Sequence, residues 1–505
     1  GVSWYQKGGV GTIFTKSSTQ TYGDLVLNNE ETSWSTDRNN YAITPFNNPI
    51  TMDSITLNNY AKVQNLSTVN TTDFNIWNSA YFYNETTYSL SYSNLSWDGG
   101  NVVDNGGTFQ LVSGGGDLTI PTNSMLDINV PRTYTSVIVN GVLAHSSNGS
   151  TEAYKLDLTV SGNFTVSSSG SVNTNSKGYT YHSGPGAGST GTDGAGGASH
   201  AGYGGDGKTR AGGTVIYGSM TEPIALGSGG GDEYSRGGRG GGAIKLDVTG
   251  DLVNNGSITA NGGNGASGNA DGAGGGSGGS IWLIADNMSG SGSISANGGT
   301  APNETDDGGG GSGGRIALYY TTNSILNTNI TANGGKPLGF NNNQRGGAGT
   351  IYTKSTSQTY GDLTIDNIET TWTSNRDYYA LTPLNNSFTM DSITINNYAM
   401  VQNNSTITTT NLNIKNSAYF YNQNSYSMTY TNLDWAGGNF IDNGGTFDLV
   451  SGSGDLVVPA DSLLEVNIPR TFTSVAVDGT LSHTSNWTTE AYKLDLTVSG
   501  NFTVS

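Results

Sequence analysis

The chain has no cysteine, which excludes disulfide staples and thiolate metal sites. Charge is also scarce. Charged residues make up 12% of the 505 positions, and 20 Lys and Arg face 39 Asp and Glu, for a formal net charge of −19. An acidic surface with scattered cations repels phosphate backbones, so nucleic acid is not an expected partner. No apolar run reaches the roughly 18 residues that a spanning helix needs, so no transmembrane segment is expected. Apolar residues at i, i+3, i+4 and i+7 are rare, and alanine, leucine, glutamate and lysine are displaced. The sequence opens at Gly1 with neither an initiator methionine nor a signal peptide, which suggests that processing or truncation removed an address.

What fills the chain instead is glycine, 77 residues of it, together with asparagine, serine, threonine and tyrosine. Short alternating runs such as LDLTV (156–160) and SITIN (392–396) recur throughout. That pattern predicts half-buried strands and a nearly all-β fold.

The organising feature is self-similarity. GTIFTKSSTQTYGDL begins at Gly11 and GTIYTKSTSQTYGDL at Gly349, 338 residues apart. The same offset joins TMDSIT at Thr51 and Thr389, and TEAYKLDLTVSGNFTVS at Thr151 and Thr489. Residues 1–167 therefore reappear as 339–505 with no insertion, and 168–338 form a glycine-rich segment between them. Both termini fall inside the repeated unit, so the expectation is a piece of a longer tandem array.

A shorter period runs through the glycine-rich part. ANGG recurs with its asparagine at Asn261, Asn297 and Asn333, 36 residues apart each time. Apolar runs following glycines place Ile244, Ile281, Ile316 and Ile351 at spacings of 37, 35 and 35. A flexible linker has no reason to keep such a register. The expected roles of glycine are positive φ at turns and close backbone approach, with the ANGG asparagines supplying stacking and left-handed geometry.

The two copies also indicate which strand face points inward. FNIW (74–77) becomes LNIK (412–415), keeping the first and third positions apolar while Trp77 is exchanged for Lys415. Phe74 and Ile76 should therefore face a core and Trp77 water. Leu126, Ile128 and Val130 form a second inward set, and Leu156, Leu158 and Val160 a third. Strands recurring at roughly 13 to 22 residues leave no room for crossover helices. Together these features predict a parallel β-solenoid, a right-handed β-helix, in which successive turns wind in one direction around a single dry aliphatic interior. The competing reading, a string of immunoglobulin-like sandwiches, calls for units nearer 100 residues and a buried tryptophan pattern.

GGGSGGSIWLIADNMSGSGSISANGG (274–299), followed by GGGGSGGRIALYY (308–320), resembles the glycine-rich β-helix repeats of very large bacterial and archaeal cell-surface proteins, over roughly residues 180–355. The flanking Asn/Tyr-rich segments resemble solenoid rungs of adhesins and surface-layer-like proteins. The resemblance implies a β-helical fold and an extracellular or cell-surface location, and leaves the function to be inferred.

Chemistry-bearing patterns are sparse. A polysaccharide-cleaving β-helix would show clustered aspartates with a downstream Gly-His and Arg-x-Lys. His145, its copy His483, and the isolated His182 and His200 lie beside no such cluster. Asp306 and Asp307, like Asp232 and Glu233, are adjacent, which in a strand aims them to opposite faces. No catalytic residue is therefore expected. GGNGASGNAD at Gly262 has Ser267 where a Ca²⁺-binding nonapeptide needs aspartate, and GGDG at Gly204 lacks the rest of that motif. No cofactor is expected beyond incidental Ca²⁺ at acidic turns. SAYFYN at Ser79 and Ser417 places Tyr81, Tyr83, Tyr419 and Tyr421 on one strand face, as a tyrosine ladder between adjacent coils or as a glycan or fibre contact. Asn65, Asn70, Asn84, Asn94, Asn163, Asn303 and Asn486 begin N-glycosylation sequons.

The functional expectation is a structural subunit of an extracellular filament, without catalytic activity, whose partners are copies of itself and whose surface could meet polysaccharide. The alternatives are an adhesin or carbohydrate-binding protein and, third, a β-helical polysaccharide-degrading enzyme. At about 20 residues per coil and 4.8 Å per coil, one 338-residue period would extend roughly 80 Å, or about half that if the glycine coils are wide.

Overall fold

The computed structural model describes residues 8–29, 41–109, 116–191, 193–232, 236–268, 271–303, 307–338, 344–368, 376–447, 454–486 and 490–505. Among them the regular structure is strand, apart from two single-turn 3₁₀ segments at Asn327–Asn329 and Arg376–Tyr378. The alternation read from sequence sets the burial. Leu156, Leu158 and Val160 are buried along Leu156–Val160, as are Phe74 and Ile76 in Thr68–Trp77. Trp77 points outward and donates its indole N–H to Ser96 Oγ; Lys415, in its place, pairs with Asp434. Val130 is a correction: it lies past the end of Met125–Ile128 and is only half-buried.

Parallel pairing dominates. Over residues 24–109 the chain alternates between two sheets, one built on Asp24–Asn28, Ile50–Asn58 and Thr68–Trp77, the other on Thr44–Phe46, Lys62–Asn65, Tyr81–Asn84 and Asn101–Asp104. From residue 117 it visits three sheets in rotation, starting with Asp117–Ile120, Met125–Ile128 and Arg132–Tyr134 and returning to each in turn. Ile244, Ile281, Ile316 and Ile351 are register partners in successive parallel strands. The spacings of 37, 35 and 35 are thus lengths of chain between rungs.

The expectation of one interior wound in one direction is corrected at the hairpins. Thr350–Ser355 pairs parallel with Arg315–Tyr320 but antiparallel with Asp362–Asp366, and Ile13–Thr15 is antiparallel to Asp24–Asn28. Side chains of directly paired residues share a sheet face. Ile351 is therefore on the face of Thr364, and Tyr352 on that of Leu363. Up to Ile351 the apolar face of this sheet belongs to a core running from Val10 through Leu158, Ile244, Ile281 and Ile316. Beyond the hairpin the opposite face is buried, and Tyr352 joins Leu363, Ile365, Leu412 and Phe420 in a second core. A reversal of strand direction thus carries the buried surface from one face of a continuous sheet to the other. The first core also passes without a break from the 1–167 segment into the glycine-rich one.

The glycine runs build something other than turns. Gly309 and Ser312 donate to the carbonyls of Ala195 and Ala198, Gly310 and Gly313 to Gln344 and Gly347, and Gly311 and Gly314 to Gly299 and Ala296. Each backbone N–H points to a different neighbour, and every third residue returns to the same one, as a threefold extended helix requires. Gly274 to Gly279 repeat the scheme, donating in turn to the 228–231, 309–312 and 260–263 segments. Parallel and antiparallel neighbours both occur, so this bundle is not a β-ladder. Positive φ is absent from these runs, being confined among the described residues of this third to Gly184, Gly191, Gly194, Gly218, Gly290, Ser176, His182 and Asp193. Glycine is needed here for close approach, and the expected left-handed geometry of the ANGG asparagines is corrected as well.

Those asparagines do stack. The Oδ1 of Asn175 accepts the N–H of Asn261, that of Asn261 the N–H of Asn297, and that of Asn297 the N–H of Asn333, each at 2.7 Å. The ladder stops there, since Asn333 Oδ1 receives no donor. Asn297→Ala should therefore cost about 1–2 kcal/mol by stranding an N–H, and Asn333→Ala less than about 0.5 kcal/mol. Urea unfolding of the two variants checks this, and equal losses would contradict the ladder.

Candidate functional site

Tyr81 and Tyr83 sit two apart on Tyr81–Asn84, half-buried, with ring centroids 6.4 Å apart and planes 24° apart; Tyr419 and Tyr421 match them. Their register partners are Lys62 and Gln64 on one side and Asn101 and Val103 on the other. The expected ladder of these tyrosines between coils is thus corrected to a pair within one strand. Stacking between coils occurs elsewhere, at Tyr41–Tyr60 (5.3 Å) and Tyr379–Tyr398 (5.6 Å). The Lys62 ammonium, which donates to Tyr41 O, lies 5.9 Å from the Tyr83 ring centre. In the second copy Arg376 acts on Tyr419 and Tyr421 while bonded to both Glu465 oxygens at 3.0 Å. Burial pushes the Tyr421 hydroxyl well up, against the pull of Arg376. Cations already attend these aromatic pairs.

The sequons separate by burial. Asn70, Asn94, Asn163, Asn303 and Asn486 are exposed. Asn163 Oδ1 accepts the Asp251 N–H, and Asn486 closes a loop by accepting from the Ala491 and Tyr492 amides. Asn65 and Asn84 are fully buried and correct the glycosylation expectation: both are partners in one register column that runs on to Asp104, where Asn84 Nδ2 donates to Oδ1. A glycan on either would require expelling a core side chain.

The Asp104 of that column is buried and accepts two bonds from Arg132, at 2.7 Å each, while Arg132 also reaches Gly107 O. Asp442 and Arg470 repeat the fork at 2.6 and 2.8 Å. Bidentate geometry of this kind fixes orientation as well as charge. Sequence reasoning missed these pairs, although all four residues keep their place across the two copies.

The histidines are scaffold. His145 Nδ1 faces Ser146 O and Nε2 accepts the Ala243 N–H, and burial lowers its pKa to about 4. His200 is fully buried against Tyr217 (4.5 Å between centroids), with Nδ1 on Gly278 O; burial and then Arg315 lower its pKa to about 3. His182 lies 3.1 Å from Asp232, and His483 Nδ1 faces Thr484 O. Glu233 and Asp306 lie outside the described residues, and Asp307 is buried. Among the described residues no three His, Asp or Glu gather as metal ligands. Ser267–Gly268 pairs antiparallel with Asp271–Gly272 at the truncated nonapeptide. Among the described residues no helix is long and apolar enough to cross a membrane.

Among the described residues two concave features stand out. One, of about 290 Å³, is lined by Leu156, Ile244 and Ile224 with Glu152, Lys155, Asp157 and Lys245, charges that largely pair among themselves. The larger, about 490 Å³, lies where the buried face changes sides. Ile330 and Ile351, at the end of the first core, line it together with the outward Asp362, Thr364 and Asp366 and the neighbouring Ser392, Thr394, Asn396 and Asn397. Gln358 Nε2 donates to Asp362, while Asn396 and Asn397 donate to Asp366. Burial raises the Asp362 pKa. No residue pattern announced this groove, because it arises between strands that pair only through the hairpin. No family model, curated protein or solved structure matches this chain.

Proposed function

We propose that the chain is a structural subunit of an extracellular or cell-surface filament, a parallel β-solenoid built on 338-residue periods, of the kind that its likeness to glycine-rich repeats of giant prokaryotic surface proteins suggests. The observation that carries this reading is continuity. One eleven-stranded sheet runs from Arg132–Tyr134 to Thr446–Phe447, through the glycine-rich segment and into the second copy, with no linker between them. A load along the stacking direction is borne by backbone ladders throughout. The function is mechanical, and catalysis has no part in it.

Ten strands lie in the sheet from Thr44–Phe46 to Ile330–Thr331, which represents one period. At about 4.8 Å per strand the axial repeat should be roughly 50 Å, shorter than the 80 Å expected from sequence, because the threefold bundle takes up chain without adding rungs. Electron microscopy of the native material checks this: unbranched fibres with that axial spacing are expected, and discrete particles would refute the reading.

A further inference from the structure

We propose that the groove at the hairpin seam is a saccharide-binding site, taking one or two neutral sugar units. A solenoid of pure scaffold has no need of a cavity, and this one, at about 490 Å³, falls within the range of small-molecule sites, about 300–1,000 Å³.

Its lining has two characters that a sugar also has. Ile368, exposed beside the buried Ile330 and Ile351 where the first core ends, presents aliphatic surface suited to the C–H face of a pyranose. Beside them the Asp362 carboxylate stands as an acceptor, with Gln358 on one of its oxygens. The Thr353, Thr364 and Thr394 hydroxyls can both give and accept. An acceptor-rich wall beside an apolar one calls for a ligand carrying several O–H donors on a carbon frame. A bare divalent cation fits less well. Calcium takes six to eight oxygens, yet the oxygens of Asp366 are already held by Asn396, Asn397 and the Ile368 N–H.

The chain supplies its own contrast. The first copy carries Asp24, Val26 and Asn28 where the groove has Asp362, Thr364 and Asp366. The Thr364 hydroxyl and the Asp366 charge are thus specific to the seam copy, on strands whose pairing is otherwise the same: Leu25 with Ile55, and Leu363 with Ile393. Thr364→Val with Asp366→Asn installs residues that this backbone already tolerates.

The test uses the full 505-residue chain with cellobiose, lactose, maltose and N,N′-diacetylchitobiose, in EDTA, by saturation-transfer NMR and calorimetry. At least one disaccharide should bind saturably, and the double variant, folded by circular dichroism, should bind it at least about tenfold more weakly. Tyr419→Ala with Tyr421→Ala should leave binding unchanged. The proposal is overturned if none of the four binds, if the double variant binds equally well, if binding needs added calcium, or if the tyrosine variant is the one that loses it.

Discussion

Gly310→Ala is expected to destabilise the glycine-rich third by about 3 kcal/mol or more, at the top of the range for overpacking. A β-carbon there would lie 1.9 Å from the Gly335 carbonyl oxygen and 2.5 Å from its carbon. Those atoms are backbone, and cannot rotate aside as a side chain would. Gly335 is itself held, donating to Gly311 and accepting from Gly346. Relief would require parting segments whose spacing is set by three directions of hydrogen bonding at once, so the strain spreads instead of dissipating. Gly149→Ala is the matched control: nothing lies within 4 Å of its added β-carbon, and its effect should stay within about 0.5 kcal/mol. Hydrogen exchange reads the difference, with amides 309–314 protected in the parent and the control and exposed in Gly310→Ala. Equal protection in all three would remove close approach as the reason for the glycines.

Acidification should produce the other large effect. His145 and His200 have pKa values lowered to about 4 and about 3, in both cases first by burial. The unfolded chain takes up these protons first, near pH 6.5, so folding is opposed as pH falls below that value. The stability they support is fully present above about pH 6.5, and it declines by roughly 1.4 kcal/mol per unit per histidine until each folded pKa is passed. The loss should reach on the order of 3 kcal/mol from His145 by pH 4, with His200 still contributing below that. For His145 the structural cost is explicit, because protonating Nε2 destroys its bond from Ala243 N–H. Near His200, Arg315 is buried and no carboxylate among the described residues pairs with it, so a second cation is opposed by the first. Denaturant titrations at pH 7.5, 6, 5 and 4 on the parent and on His145→Gln with His200→Gln provide the comparison. The substituted chain should lose most of the slope between pH 6.5 and 4. A slope that survives intact would place the acid sensitivity elsewhere.

Much of the fold was legible because strand periodicity is a local property. Phe74 and Ile76 inside with Trp77 outside could be read from one substitution between copies, and the 35- to 37-residue spacing of Ile244, Ile281, Ile316 and Ile351 is the rung register. The candidate sites were far less legible. Asn65 and Asn84 satisfy a sequon as three letters, but their burial follows from a column shared with Asp104, which no triplet encodes. Tyr81 and Tyr83 were found as a pair, while the coil-to-coil stacks formed at Tyr41–Tyr60 and Tyr379–Tyr398. The seam groove had no signature at all.

The amino-acid sequence by itself determined that the chain would be strands, which side chains of each strand would be apolar, and that residues 1–167 would recur 338 positions on. These depend on neighbours one or two residues away, or on plain identity between copies. Only the tertiary structure decided that the buried face changes sides between Ile351 and Leu363, and that glycine runs pack as a threefold array. The physical reason is common to both. A hairpin's direction and a backbone's neighbours are set by hydrogen bonds between segments tens of residues apart, and glycine, having no side chain, does not record in sequence which segment will lie against it.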